Sequence, residues 1–254
     1  MAIPFYPAVS GVLVSENEFD MASANAGNMH TPGFKSSVYS IKSMPKHTIL
    51  RTDGYGSEEI GKGSDGIYND EIVTDFSQGE LIESTRSLDF AINDGRGDTF
   101  LSVADKGSRI VLSRAGNCHL DNEGYLTHPS GRRVLGTDGA EIFLGTDQVT
   151  LDEDGTLTDK DDQVLGEIGL WSPGKGVKLE RTDDNCFIAK TAELVQLPSE
   201  ETELHQYMLE ESNVDTTTNT LSLAKSSQGS AYYTNILKAT KRQDEKSDEI
   251  ISQK

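Results

Sequence analysis

The chain has 254 residues, a length that suits one large domain or two modest ones. Its 23 lysines and arginines stand against 42 aspartates and glutamates, which gives a net charge of −19. Nucleic-acid binding is therefore disfavoured, because affinity for the phosphate backbone depends on neutralisation by Lys and Arg. No run of apolar residues approaches the roughly 18 to 20 that a membrane-spanning helix needs, so direct membrane insertion is not expected.

Residues 3–29 are predicted to form a helix with a narrow apolar stripe. The stripe recurs at steps of three, four or seven residues and comprises Phe5, Val9, Val12, Phe19 and Ala26. Such a narrow stripe is typical of a coiled-coil seam rather than of a helix face packed on a globular core. Pro32 disfavours the helical conformation of the residue before it, so the helix should end near His30. No Lys or Arg precedes Lys35, so a secretory signal with a basic start is not expected.

The middle of the chain changes character twice. Residues 52–66 are rich in glycine and polar residues, and residues 36–71 are accordingly predicted to be a linker or extended loop. From residue 72 onward, short apolar runs alternate with turn signals, namely Asp121–Gly124, Pro129–Gly131, Asp138–Gly139 and Asp152–Gly155. Turns at this spacing favour antiparallel strands over βαβ units, so residues 72–202 are predicted to be an all-β domain.

Residues 203–254 are predicted to return to helix. The segment contains no proline and only one glycine, Gly229, and its thin apolar stripe includes Val214 and Leu221. Two terminal helices with such thin stripes should pair with each other or with other copies of the chain, because neither would be stable alone. The predicted fold is therefore α+β, with residues 1–35 and 203–254 forming a coiled-coil inner domain and the antiparallel β domain forming an outer layer.

Four blocks of sequence stand out in order along the chain. The first is Asn25-Ala-Gly-Asn28-Met-His-Thr31-Pro32-Gly33-Phe34-Lys35, and the second combines Asp75-Phe-Ser-Gln-Gly79 with Leu88-Asp-Phe-Ala-Ile92. The third is Arg114-Ala-Gly-Asn-Cys-His-Leu120-Asp-Asn-Glu-Gly124-Tyr-Leu126 with Val134-Leu-Gly136, and the fourth is Leu209-Glu210-Glu-Ser212-Asn213-Val214. Together, in this order and spacing, they resemble the motifs of the bacterial flagellar basal-body rod and hook family.

The resemblance implies a structural subunit, most like the proximal-rod type, with the distal-rod type as the alternative. It implies a location in the flagellar basal body, where the rod crosses the periplasm and transmits torque from the motor to the hook. The implied partners are copies of the chain, other rod and hook-family axial proteins, and the flagellar type III export apparatus, which exports subunits without a cleaved signal peptide. The resemblance implies no cofactor and no catalysis.

Two sets of residues are expected to carry the assembly function. The assembly seam comprises Phe5, Val9, Val12, Phe19, Val214 and Leu221. The family motif comprises Asn25, Asn28, Thr31, Pro32, Gly33, Phe34, Leu209, Glu210, Ser212 and Asn213. The two asparagines and the threonine of the first block should end the first helix and turn the chain through side-chain hydrogen bonds to the backbone. The chain departs from the family at Tyr207, where a glycine is usual, and over residues 227–254.

No residues are predicted to be catalytic, metal-binding or cofactor-binding. The five histidines, His30, His47, His119, His128 and His205, lack the spacing of metal ligands or of a catalytic triad. Gly61–Gly66 contains a lysine and a serine, but not in the order that a phosphate-binding loop requires. Two cysteines, Cys118 and Cys186, are too few for a disulfide framework, and the sequence leaves their pairing open. A hydrolytic module or a ligand-binding β protein is a remote alternative to a structural subunit.

Overall fold

A computed structural model of the chain describes residues 5–53, 56–95, 97–105, 110–173, 177–182, 184–189, 194–196 and 203–252. The described residues form two long helices, α1 (Phe5–Gly27) and α2 (Thr216–Ser252), with strands between them. The strands are β1 (Ser37–Ser43), β2 (Lys46–Asp53), β3 (Gly56–Ser64), β4 (Ile67–Thr74), β5 (Leu81–Glu83), β6 (Phe90–Asn93), β7 (Phe100–Ala104), β8 (Ile110–Ser113), β9 (His119–Leu120), β10 (Leu126–Thr127), β11 (Thr150–Leu151), β12 (Thr156–Thr158), β13 (Val164–Glu167), β14 (Leu170–Pro173), β15 (Leu179–Arg181), β16 (Phe187–Ala189), β17 (Leu194–Gln196), β18 (Glu203–Gln206) and β19 (Met208–Glu210). Within the part of the chain that the structure describes, neither helix is long and apolar enough to cross a membrane.

The chain divides into two compact units, each built from separate stretches of sequence. The helical unit comprises Met1–Gly27, Ser37–Thr74 and Asp215–Lys254, and the β unit comprises Asn28–Ser36 and Asp75–Val214. The boundaries of these units differ from those of the predicted domains. The predicted boundary at residue 202 lies outside the described residues.

In the helical unit, α1 and α2 pack against each other as an antiparallel pair. Three contacts define their register: Gly11 with Tyr233, Ser15 with Gly229, and Ala22 with Asn219. Residue numbers on α2 decrease as those on α1 increase, so the two helices run in opposite directions. The buried residues along this contact are small or polar, namely Ala8, Gly11, Ser15 and Ala22 of α1 and Asn219, Ser226 and Thr240 of α2. Small side chains at the contact allow the two helix backbones to approach closely.

The predicted assembly seam is not the contact between α1 and α2. Phe5 and Phe19 are each 42% exposed and Leu221 is 52% exposed, while Val9, Val12 and Val214 are half-buried. The small buried residues of α1 lie one position away from the apolar stripe, because aromatic side chains do not fit where two helix backbones meet closely. As a surface between copies of the chain, the predicted seam stays a prediction.

Residues 37–53 and 56–74, most of the predicted linker, form a two-stranded antiparallel ribbon. Strand β1 pairs with β4, and β2 pairs with β3 further along the same ribbon. Between the two halves, the Met44 amide donates a hydrogen bond of 2.9 Å to the Gly66 carbonyl. The interpretation as a linker or loop is therefore wrong. The ladder is made by backbone groups, and most of its side chains are at least partly exposed, so no alternating pattern marks it in the sequence.

The strand pairings of the β unit are antiparallel throughout the described residues, as the sequence predicts. The largest sheet has six strands in the order β15-β16-β8-β7-β14-β17, and a second sheet has three in the order β11-β12-β13. The main core is formed by large apolar side chains, and Leu101, Val103, Val111 and Leu126 are each 0% exposed. A second cluster is aromatic, with Phe100 and Phe187 at its centre.

The predicted turns of the β unit are confirmed. Each ends on a glycine with positive φ, at Gly124, Gly131, Gly139 and Gly155. In each case the glycine amide donates a hydrogen bond to the carbonyl three residues earlier, which closes the turn.

The prediction of helix from residue 203 is wrong for its first part. Residues Glu203–Glu210 form β18 and β19, which pair with β6 and β5. Leu204 is 1% exposed within the β core, so its burial there outweighs any helix preference of the segment. The helix starts only at Thr216, where the Asp215 carboxylate accepts a hydrogen bond of 2.6 Å from the Thr218 amide as an N-cap.

Candidate assembly site

The four motif blocks converge in the β unit on one set of buried charged side chains, called here the buried junction. Its members are Lys35, Asp94, Arg114 and Glu210, with side-chain exposures of 0%, 4%, 0% and 1%. Lys35 closes the first motif block, Arg114 opens the third, and Glu210 belongs to the fourth. Buried charges are stable only when paired and hydrogen-bonded, so the junction fixes these distant segments against one another.

Glu210 is the centre of the buried junction. One carboxylate oxygen accepts hydrogen bonds from the Lys35 ammonium at 2.5 Å and from the Gly79 amide at 2.9 Å. The other oxygen accepts a hydrogen bond from the Arg114 guanidinium at 3.2 Å. The Lys35 ammonium also donates to the Ser77 carbonyl at 2.7 Å. Burial lowers the pKa of Lys35, and the charge of Glu210 opposes that shift.

Asp94 completes the buried junction on the far side of Arg114. Its carboxylate accepts a hydrogen bond from the Arg114 guanidinium at 2.7 Å and one each from the Gly97 and Thr99 amides at 2.9 Å. Burial raises the pKa of Asp94, but the charge of Arg114 and these hydrogen bonds outweigh burial and hold the pKa at about 2. The carboxylate is therefore ionised at neutral pH.

Residues 28–34 make a compact turn immediately after α1. The Thr31 amide donates to the Asn28 carbonyl at 3.1 Å, and the Thr31 hydroxyl donates to the Asn28 side-chain oxygen at 3.1 Å. Gly33 has φ of +65°, and its amide donates to the Glu210 carbonyl at 2.7 Å. A Cβ on Gly33 would lie 2.4 Å from the Arg114 carbonyl carbon, so both the conformation and the space at this position require glycine.

Phe34 and Pro32 attach this turn to other residues of the β unit. Phe34 is 6% exposed, and the Arg181 guanidinium stacks 4.3 Å from its ring centroid. The Pro32 carbonyl accepts a hydrogen bond of 3.3 Å from the Asn185 side chain.

Asn213 binds the fourth block to the first two. Its side-chain oxygen accepts from the Ser36 amide at 2.7 Å, and its side-chain nitrogen donates to the Asp75 carbonyl at 2.8 Å. Its own amide donates to the Phe34 carbonyl at 3.2 Å. Ser212 acts more locally and accepts a hydrogen bond of 3.3 Å from the Val214 amide. The asparagine therefore connects the segment that follows α1 with the segment that precedes α2.

The remaining predicted motif residues lie apart from the buried junction. Leu209 pairs with Ile82 in the ladder between β19 and β5. Asn25 belongs to the helical unit, near the end of α1, and is 5% exposed. Its side chain forms two hydrogen bonds with the Ser37 backbone, at 2.8 and 3.1 Å, and so holds the start of the ribbon.

Tyr207, where the family has a glycine, adopts the backbone conformation that glycine favours. Its φ is +59°, and it separates β18 from β19. Its amide donates to the Asp89 carbonyl at 2.8 Å, and its carbonyl accepts from the Ser84 amide at 2.7 Å. These two bonds hold a conformation that is strained for a bulky residue.

Sequence reasoning missed three of the four charges of the buried junction. Lys35 and Arg114 fall inside motif blocks but received no role, and Asp94 was not selected at all. Charged residues within otherwise apolar and glycine-rich blocks could have indicated these sites, because an ionised side chain that is buried there needs a partner of opposite charge. The partners themselves were not readable, because Lys35 and Glu210 are 175 positions apart.

The buried junction holds separate chain segments together. Its charged groups are closed to solvent and paired with one another. Among the described residues, no group of three or more His, Cys, Asp or Glu side chains has the arrangement of a metal site. Both cysteines are free and buried, and burial raises the pKa of each thiol.

Several known proteins are similar to the chain over most of its length. It is 30% identical over 195 residues to the flagellar basal-body rod protein FlgG of Bacillus subtilis, which covers 72% of this chain and 71% of that protein. It is 27% identical over 212 residues to the flagellar basal-body rod protein FlgF of Caulobacter vibrioides, covering 82% and 81%. It is also 28% identical over 158 residues to the flagellar hook protein FlgE of Rhizobium meliloti, covering 59% and 36%. No protein-family profile matches the chain.

The pair of helices and the buried junction, whose ion pairs hold distant chain segments together, are features of a structural protein. The similarity to rod proteins then identifies its kind. The chain belongs to the flagellar basal-body rod and hook family.

Proposed function

We propose that the chain is a structural subunit of the flagellar basal-body rod, of the proximal type, with the distal type as the alternative. The observation that carries this proposal is the convergence of all four motif blocks on the buried junction. Similarity to FlgG and FlgF proteins, at 30% and 27% identity, supports a rod subunit of either type. The subunit belongs in the basal body and serves motility as part of the axial drive shaft that transmits torque from the motor to the hook.

The helices α1 and α2 act in this proposal as the coiled-coil inner domain. Buried positions of α1 recur at steps of three, four or seven residues, as in a coiled coil, at Ala8, Gly11, Ser15, Ala22 and Asn25. The buried junction makes the adjoining segments rigid, because removing one of its charged side chains leaves a neighbouring buried charge with fewer partners or with none. A torque-bearing part needs such rigidity and needs no catalytic group, so the chain is not an enzyme.

The partners of the chain are copies of itself, other rod and hook-family axial proteins, and the flagellar type III export apparatus. The net charge of −19 argues against nucleic acid as a partner, and we propose neither a cofactor nor direct insertion into a membrane. The exposed apolar residues of the predicted seam are the surfaces that copies of the chain would cover.

The test is complementation of a strain that lacks the gene. The wild-type chain should restore swimming, and Val12→Asp or Leu221→Asp should not, because a charge on the seam blocks packing between subunits. Circular dichroism should show both variants with normal β structure. Asn17→Asp is the matched control on an exposed polar position of α1 and should swim normally. Full swimming by Val12→Asp would contradict the proposal.

The type of subunit can be tested separately. Electron microscopy of isolated basal bodies that carry a labelled chain should place the label in the part of the rod nearest the motor for the proximal type. A label next to the hook would favour the distal alternative, and a label outside the rod would exclude both.

A further inference from the structure

A shallow hollow of about 480 Å³ lies on the surface of the β unit. Its lining comprises the charged Arg86 and Asp147, the polar His119 and Thr146, the apolar Leu88 and Leu120, and Gly145. The Ser87 hydroxyl donates a hydrogen bond of 2.5 Å to the Asp147 carbonyl, so the segment before β6 and the segment around residue 146 are joined directly. The hollow is therefore formed by stretches of chain that are fixed to one another.

Arg86 is held in a defined position on the wall of the hollow. Its guanidinium donates a hydrogen bond of 2.8 Å to the Cys118 carbonyl and lies 3.5 Å from the Asp89 carboxylate. A guanidinium has five N–H donors, and this side chain is 54% exposed, so donors remain that can reach a ligand. Asp147 adds a carboxylate that can accept hydrogen bonds. The hollow thus offers a donor and an acceptor together.

An exposed aromatic ring adjoins the hollow at Gly145. Phe143 is 53% exposed, and a Cβ on Gly124 or on Gly145 would lie 3.0 or 3.4 Å from its ring. The Tyr125 ring lies edge-on at 5.3 Å between centroids and is itself covered by the Arg133 guanidinium at 3.9 Å. The Phe143 ring is therefore supported by its neighbours, while about half of it stays open to a ligand.

A second exposed ring belongs to the strained residue Tyr207. Its backbone amide and carbonyl are bonded to Asp89 and Ser84, which flank the segment that carries Arg86. Its side chain is 46% exposed, so the ring is not needed to fill the core. Glycine adopts a φ of +59° without strain, and strained residues are found where the strained residue has a use. A tyrosine at this position therefore points to a use for its ring.

We propose that the hollow binds a glycan, that is, a chain of neutral sugar rings. Phe143 and Tyr207 stack against the C–H faces of the sugars, because those C–H groups are slightly positive and the face of an aromatic ring is negative. Arg86 donates hydrogen bonds to the sugar hydroxyls, and Asp147 accepts hydrogen bonds from them. The inference goes beyond the proposed function and does not depend on it.

The charges around the hollow favour a neutral ligand. The hollow and the adjoining Tyr125 surface carry two positive groups, Arg86 and Arg133, against four negative ones, Asp121, Glu123, Glu141 and Asp147. This balance disfavours anions such as phosphates. A cation is not selected either, because three of the four carboxylates are already ion-paired with Arg133.

A sugar chain also fits the mixture of groups better than a protein partner does. A stable protein interface covers a large continuous surface with an apolar centre, whereas here two single rings accompany hydrogen-bonding side chains. Each sugar ring has an apolar face and an edge of hydroxyls, which are the two kinds of surface that such a site can bind at once. Binding sites of small ligands combine apolar walls with a few placed polar groups in the same way.

Nuclear magnetic resonance of the purified full chain tests the site with two soluble oligosaccharides, chitotetraose and cellotetraose. At millimolar concentration, at least one of them should shift the amide signals of residues 86–88, 119–120 and 145–147. Phe143→Ala should raise the dissociation constant about tenfold through the loss of stacking. Tyr232→Ala removes a ring on α2 that is 63% exposed, and this matched control should leave the dissociation constant unchanged.

Tyr207→Gly separates a binding role from a structural one. The change relieves the strained φ, so the thermal unfolding temperature should stay the same or rise. The dissociation constant for the oligosaccharide should nevertheless rise at least about threefold, because a stacking surface is lost. A ring kept only for structure would give the reverse result, namely lower stability with unchanged binding.

The remaining outcomes also decide the proposal. Cosedimentation with purified cell-wall sacculi and with cellulose compares two sources of glycan, and binding to either supports it. Absence of any shift by both oligosaccharides would overturn it, and so would unchanged binding in both Phe143→Ala and Tyr207→Gly. Shifts produced by a lysine-rich peptide but by neither sugar would assign the hollow to a protein partner instead. None of these measurements uses basal bodies, so the proposed rod function is tested separately.

Discussion

The β unit and the pair of helices bury different kinds of side chain. The β unit encloses large apolar residues, and Leu101, Val103 and Phe187 are each 0% exposed. The helix contact encloses small residues such as Gly11 and Ser15, while Leu13 and Phe19 of α1 are 56% and 42% exposed. Since stabilisation by burial follows the apolar area removed from water, we expect the β unit to hold its own structure and the helices to gain much of their stability only when other molecules cover them.

The largest effect is expected from removing the central charge of the buried junction. Glu210→Gln leaves the ammonium of Lys35 buried without a counter-charge and leaves Arg114 with Asp94 alone, which should lower the free energy of unfolding of the β unit by about 3 to 5 kcal/mol. Urea unfolding monitored by near-UV circular dichroism measures this loss.

The neighbouring glutamate provides the control for that experiment. Glu211 is only half-buried, so Glu211→Gln should change the free energy of unfolding by no more than about 0.5 kcal/mol. Equal stability of the two variants would show that the buried junction does not depend on its ionic contacts.

The second prediction contrasts two apolar truncations, one in each unit. Phe187→Ala removes a ring that is 0% exposed and packs 5.1 Å from the ring of Phe76, so it should cost about 3 to 5 kcal/mol of unfolding free energy. Leu221→Ala removes a side chain that is 52% exposed and should cost less than about 0.5 kcal/mol in the monomer.

When incorporation into basal bodies is measured instead of stability, Leu221→Ala should have the larger effect of the two variants. Leu221→Ala should reduce incorporation into basal bodies more than it reduces the stability of the monomer. A loss of monomer stability as large as that of Phe187→Ala would contradict the view that Leu221 awaits a partner.

The third prediction is a loss of stability of the β unit in acid. His128 is 1% exposed, and its two ring nitrogens lie 2.8 Å from the hydroxyls of Ser113 and Ser130. Burial and then the charge of Arg132 lower its pKa to about 4. The unfolded chain therefore takes up the proton more readily than the folded chain, and stability should fall by about 3 kcal/mol as the pH decreases from about 6.5 to 4.

Asp94 should extend the acid effect to lower pH. Its pKa of about 2 lies below the ordinary value of 3.8, so its contribution is present above about pH 4 and is lost as the pH falls toward 2. Urea titrations at several pH values test both stages. His128→Gln should remove the dependence above pH 4, whereas the exposed His119, changed to Gln, should leave it unchanged.

The sequence predicted those features that leave a local signal. The turns that end on Gly124 and Gly155 follow from short motifs whose glycines supply a positive φ. The first helix follows from its periodic apolar residues and from the proline beyond its end. Residues 37–74 gave no such signal, because a ribbon whose side chains are mostly exposed needs backbone pairing but no alternation of apolar and polar residues.

The candidate site was predictable only in part, for two physical reasons. The motif blocks named the right segments, but ion pairs such as Lys35 with Glu210 depend on three-dimensional contacts across most of the chain. On α1, the periodicity of apolar residues identified the stripe that contains Phe19. Burial instead follows the small residues around Gly11, where the distance between helix backbones matters more than hydrophobicity.

The smallest predicted effect tests that distance directly with two glycines of the helix contact. A Cβ on Gly11 would lie 2.7 Å from three atoms of the Tyr233 ring, so Gly11→Ala forces the helices or the ring to move. We expect a net loss of about 1 kcal/mol, because the overpacking outweighs the better helix propensity of alanine. A Cβ on Gly229 would meet the Ser15 hydroxyl at 2.8 Å, and that hydroxyl can rotate away. Gly229→Ala should therefore be neutral or stabilising by up to about 1 kcal/mol.

Thermal unfolding followed by circular dichroism at 222 nm measures both glycine variants. Combining Gly11→Ala with Tyr233→Leu should recover part of the loss if the ring is the obstacle. If Gly11→Ala instead raises the unfolding temperature as much as Gly229→Ala does, the helices are not held at close range by this contact. That result would contradict the view that the two helices, unlike the β unit, pack through small residues and depend on neighbouring copies for further stability.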